Sequence, residues 1–155
     1  MKAVWTADWA WGLPLIVLTI VLHVAAIIGI AVLLARGRTL LERRHAAGLS
    51  STLLAIAAIG TVGLALSVLN ALDVAIWAGA YLVLGAVDNF GDAMLYSMNA
   101  MTAYGSSGLD LHRHWKMMGA LEASNGLLLF GISTAFLAAV LTEMWGWLRK
   151  MGHDS

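Results

Sequence analysis

The chain has 155 residues, of which 61% are hydrophobic and 12% charged; nine basic and nine acidic side chains leave no net charge, and the mean hydropathy is +0.83. A composition this apolar excludes an ordinary soluble domain and indicates an integral membrane protein. The balanced charge leaves no basic surface for nucleic acid, and the lack of cysteine excludes disulfides, thiolate metal sites and a thiol nucleophile.

The first apolar stretch, 13–35, is long enough to cross a hydrocarbon core about 30 Å thick, which takes about 20 helical residues. It does not read as a cleaved leader, because Lys2 is balanced by Asp8 and the apolar run is too long. Trp5, Trp9 and Trp11 precede it as an interfacial belt, and His23 falls within it. The loop that follows carries Arg36, Arg38, Arg43 and Arg44, which places it in the cytoplasm and the N-terminus outside. Residues 1–50 are thus one helix and a basic loop.

The second stretch, 51–87, carries Ser67, Asn70, Asp73, Trp77 and Tyr81 at spacings of three and four, on one helical face. Asp73 is expected to pair with Asn70 or with a neighbouring helix, His23 of the first span being a candidate; a structural role leads, and a proton relay is the alternative.

The segment 88–118 breaks the pattern. Residues 92–101 read as a helix of about 15 Å, too short to span. Asp88 and Asp92 suit its N-terminus, and it stops at the Gly/Ser stretch "MTAYGSSGLD". Non-helical backbone at membrane depth survives only where it is buried in protein or lines a watery cavity, so the segment is read as re-entrant. An amphipathic surface helix with an ordinary loop is the alternative. Asp110, with Asp88 and Asp92, is a candidate for a ring of carboxylates; Arg113, Lys116, His112 and His114 lie close by, and two histidines with no third ligand are a weak metal signal.

The third stretch, 119–148, has a stripe that is polar at first, with Glu122, Asn125, Gly126, Leu129 and Ser133, and apolar later, with Phe136, Leu137 and Val140. Trp145 and Trp147 form the second interfacial belt, and Arg149 and Lys150 place this end inside. Three crossings satisfy both charge clusters. With so little soluble mass, self-association in the bilayer is the default.

The order of outer helix, short helix, loop and inner helix resembles the potassium-channel superfamily. Residues from about 72 to 141 are similar to small bacterial two-helix ion channels that carry an extra N-terminal helix. The likeness rests on "ALDVAIWAGAY", "DAMLYSMNAMTAYG" and "HWKMMGALEASNGLLLFGISTAFL". It implies an all-α membrane fold with three spans and a re-entrant pore helix, assembled as a symmetric homotetramer, with 51–155 as the pore domain. It also implies monovalent cations as permeant ions, no cofactor, and a bacterial inner membrane.

Aligned on Trp115, the family's T-V-G-Y-G-D falls on Ala103, Tyr104, Gly105, Ser106, Ser107 and Gly108, and only Gly105 is retained. The expected filter, Thr102 to Gly108, is therefore wider or shorter and weakly selective, since ordered carbonyls and permissive glycines set potassium selectivity. Phe136, Leu137 and Val140 are expected to line the path. Glu122 is expected to brace the loop by accepting from its N–H groups, or to act with Asn125 as interhelical glue.

Other classes fit less well. His23 alone cannot ligate haem, no nucleophile–base constellation indicates an enzyme, and "GSSG" lacks the context of a phosphate loop. A non-conducting channel-like protein and a small transporter remain the alternatives.

Overall fold

The computed structural model describes residues 2–46, 50–105, 108–109, 111–112 and 115–151, with side chains for 7–37, 43 and the described part of 50–150. Among them the regular elements are all helical: α1 (Lys2–Ala46), α2 (Ser51–Val83), α3 (Phe90–Met101) and α4 (Lys116–Met151). Three helices are long and apolar enough to cross a membrane, over Ala7–Gly37, Ser51–Val83 and Lys116–Lys150. At ~1.5 Å per residue each exceeds a ~30 Å hydrocarbon core, and a helix is the form in which such a segment satisfies its own backbone. Trp9, Trp11 and Trp145 are exposed near the ends of α1 and α4, as interfacial rings require.

The second helix stops four residues short of the expected Val87. Gly85 takes φ +64, so that Ala86 N–H donates to Tyr81 O (2.8 Å) and Gly85 N–H to Leu82 O (3.0 Å), a Schellman stop. Asn89 then caps α3: its side-chain oxygen accepts from Asp92 N–H (2.9 Å), and its amide donates to the Asp92 carboxylate (2.7 Å). Asp92 thus suits the helix start as expected, while α3 begins two residues earlier, at Phe90.

The chain forms two compact units, and they do not divide at residue 50. One takes Met1–Val24 and Leu69–Gly131; its core joins Val74, Trp77 and Tyr81 of α2, Met101 of α3, Leu111, and Met118, Leu121 and Leu129 of α4, with Leu15, Ile16 and Ile20 of α1 against them. The other takes Ala25–Val68 and Ile132–Ser155, and buries Ile27, Leu54, Val62, Leu66, Ser133, Val140 and Met144. In this second unit Phe136, Ala139 and Val140 of α4 face a cleft shared with Ala31, Leu34 and Ala35 of α1.

Candidate functional site

The first unit concentrates the buried polar groups. Asp8, Thr19, His23, Asp73, Ser97, Glu122 and Asn125 are all almost fully buried there. In an apolar interior each must find a partner or remain costly, so their pairings report how the helices are fixed.

Two pairings involve α1. His23 Nδ1 and Asp73 Oδ2 share a hydrogen bond at 2.6 Å, which joins α1 to α2. One turn earlier, Thr19 Oγ1 accepts from Asn125 Nδ2 at 2.7 Å, which joins α1 to α4; the Thr19 hydroxyl itself donates to Leu15 O at 2.9 Å. The expected polar face of α2 divides accordingly. Asp73, Trp77 and Tyr81 are buried, Asn70 is half-buried, and Ser67 is exposed with its hydroxyl on Gly63 O.

A second set of contacts fixes α3. Its buried stripe is Ala93, Ser97 and Met101, at steps of four. Ser97 Oγ lies 2.9 Å from Val74 O of α2 and also contacts Glu122 Oε1 of α4. Tyr81 O–H donates to the other Glu122 oxygen at 2.5 Å. The Tyr81 ring meets Tyr96 of α3 edge to face, with centroids 5.4 Å apart, and Trp77 tilts against it at 6.1 Å. Of the two expectations for Glu122, the contacts match interhelical glue rather than a brace on loop N–H groups: its partners are hydroxyls of α2 and α3, because the carboxyl points between helices.

These contacts also fix how far α3 runs. Met101, its last residue, lies against Gly126, and a Cβ on Gly126 would collide with the Met101 backbone. Gly126 is ten residues into α4, about 15 Å from its start. Val74, opposite Ser97, is nine residues from the end of α2, about 14 Å back. After Gly85 the chain therefore reverses and runs back alongside both helices. It returns by residue 111: Leu111 is buried in the core and His112 N–H donates to Ala86 O at 3.2 Å.

The turning segment is the expected filter. Thr102 caps α3 with its hydroxyl on Met98 O at 2.7 Å. Ala103 takes φ +52, while its own N–H donates to Ala100 O and that of Tyr104 to Asn99 O, both at 3.0 Å. This is the same stop as at Gly85, built without glycine. Gly105 and Gly108 also have positive φ, +98 and +82, and Tyr104 is 80% exposed. Ser106, Ser107 and Asp110 lie outside the described residues, as do Arg113 and His114. Asp88 and His112 are exposed, with Asp88 Oδ1 3.7 Å from His112 Nε2.

Along the α4 stripe, Glu122, Asn125, Leu129, Ser133 and Val140 are buried within the chain, and Phe136 and Leu137 are half-buried. The exposed face of α4 in the first unit carries Ala120, Ser124, Leu127, Leu128 and Gly131. Sequence reading did not assign Ser97, Thr19, Asn89 or the buried Asp8. For Ser97 a signal existed, since it is the lone hydroxyl on the 93–97–101 face. No protein-family model, curated protein or solved structure matches the chain.

Proposed function

We propose that the chain is the subunit of a tetrameric cation channel, related to the potassium-channel superfamily, that passes monovalent cations with weak discrimination. One observation carries the reading: a twelve-residue helix folds back between α2 and α4 and ends in a loop of left-handed backbone, in a chain whose other three helices are long and apolar. In a bilayer α3 is then re-entrant, and by Leu111 and His112 the chain is back at the surface it came from. Irregular backbone at that depth requires protein or a watery cavity around it.

In this reading the C-terminal end of α3, with its partial negative charge, faces the axis and favours a cation there. Thr102 to Gly108 form the narrowest part, with carbonyls and hydroxyls as ligands. The exposed side of α4, with Ala120, Ser124, Leu128 and Gly131, lines the inner cavity in place of the expected Phe136, Leu137 and Val140, whose side of the helix packs within the subunit. The basic end of α1, residues 36–44, which is helical where a loop was expected, and Arg149 with Lys150 lie in the cytoplasm, the N-terminus outside, and the membrane is a bacterial inner membrane.

A second reading, a non-conducting membrane protein on the same scaffold, is favoured by the replacement of five of the six family filter residues. Flux from liposomes holding the purified protein, under separate K⁺ and Na⁺ gradients, separates the two. Flux with both cations supports the channel, and none supports the second reading.

A further inference from the structure

Three oxygen-to-oxygen contacts run in series through the first unit: Tyr81 Oη to Glu122 Oε2 (2.5 Å), Glu122 Oε1 to Ser97 Oγ, and Ser97 Oγ to Val74 O (2.9 Å). Each needs one hydrogen. The tyrosine supplies one and the serine one, and a backbone carbonyl only accepts. An ionised Glu122 only accepts as well, which leaves two hydrogens for three contacts. Whichever way the serine hydroxyl turns, one pair of oxygens then meets lone pair to lone pair. Tyr81, Ser97 and Glu122 are each fully buried, where an unmade hydrogen bond is at its most costly.

A third hydrogen, on Glu122 Oε1, completes the series. Tyr81 donates to Glu122, Glu122 donates to Ser97, and Ser97 donates to the Val74 carbonyl, with every oxygen used once in a consistent direction. The surroundings agree. The partners of the carboxyl are these two hydroxyls, with no cationic side chain among the described residues in contact with it. The other titratable groups near the series are Tyr96 of α3 and Asp8 of α1, both acting on Tyr81. Among the described residues of this unit, the one buried imidazole, His23, is engaged with Asp73.

We infer that Glu122 is held as a neutral carboxylic acid and acts as a positioning residue, passing a donor to Ser97 and so tying α3 to α2 and α4 without placing a charge behind the loop. This stands on the three contacts whether or not the chain conducts, so its failure and that of the channel reading are distinguishable. A glutamine would preserve the arrangement: its carbonyl accepts from Tyr81 and its N–H donates to Ser97. An alanine would break the series at both ends.

The test is infrared spectroscopy of the purified full chain in lipid at neutral pH, with ¹³C-carboxyl glutamate incorporated; the chain has three glutamates, Glu42, Glu122 and Glu143. The expected result is a protonated-carboxyl carbonyl band that shifts with the label, is absent in Glu122→Gln, and moves in Ser97→Ala, where its acceptor is gone. Carboxylate bands alone from all three labelled glutamates would overturn the inference, and so would a band unmoved by Ser97→Ala. Absence of that band from the labelled wild-type spectrum overturns the inference even if a variant fails to fold. Unfolding midpoints give an independent readout: Glu122→Gln is expected to match the wild type and Glu122→Ala to fall well below it, whereas a Gln variant as weak as the Ala variant would refute the donor assignment.

Discussion

Replacing Gly126 with alanine adds one methyl group at the closest approach of α3 to α4. Its Cβ would stand 2.7 Å from Met101 Cα and 2.9 Å from the Met101 carbonyl carbon, and closer still to the carbonyl oxygen. Ordinary contacts of a Cβ are 3.4–4 Å, so the end of α3 has to retreat by the better part of an ångström. The obstacle is backbone, which cannot swing aside as a side chain does. Overpacking of this kind costs about 1–3 kcal/mol. Against it stands the gain of about 1 kcal/mol from exchanging glycine for alanine inside a helix. Gly60 in α2 isolates that gain, because a Cβ there meets nothing within 4 Å. Denaturant unfolding in detergent micelles, followed by helical circular dichroism, should therefore place Gly126→Ala about 1–3 kcal/mol below Gly60→Ala. If the two variants were equally stable, α3 would not pack where the contacts put it, and the fold-back of α3 between α2 and α4 would be lost with it.

Two further outcomes follow from the same geometry. Truncating either His23 or Asp73 to alanine strands its buried partner, and each single variant should lose about 3–5 kcal/mol; a double-mutant cycle should show the double variant losing much less than the sum, and strict additivity would mean that the pair is not coupled. Ala103→Gly should stabilise the protein by about 1 kcal/mol, since Ala103 occupies the left-handed position of the α3 stop at φ +52, and a loss of stability in the same unfolding assay would contradict that backbone assignment.

The spans were legible because hydropathy over some twenty residues leaves little choice, and the short helix was legible because Met101 is followed by a glycine- and serine-rich run. The end of α2 was misplaced at Val87, although Gly85 is the residue a helix stop demands. The pairing of His23 with Asp73 was named as a candidate, but the relative depth of two helices depends on how they slide past each other, which no local pattern records.

Which way α4 faces was harder to read, for a physical reason. A polar stripe on an apolar helix suggests a watery path, yet Glu122 and Asn125 spend their hydrogen bonds on Tyr81, Ser97 and Thr19 within the subunit, as polar groups in membrane bundles do. The side left exposed is mostly apolar, with Leu127, Leu128 and Phe130 on it, and periodicity alone cannot distinguish it from a lipid-facing one. The reading of Glu122 and Asn125 as interhelical glue matches these contacts, while the particular hydroxyls they meet depend on how the helices are rotated, which no local pattern records.

The central claim is that the loop after α3 forms an ion path. Flux of K⁺ and of Na⁺ from liposomes containing the purified wild-type chain, against empty liposomes and against Gly105→Ala, tests it most directly. Gly105 sits at φ +98, where an alanine is strained, so a loop that lines the path cannot keep its shape in that variant. Flux of both cations is expected in the wild type, with a marked loss in Gly105→Ala; no flux of either cation from the wild type, across a range of pH and membrane tension, would refute an ion path through this loop.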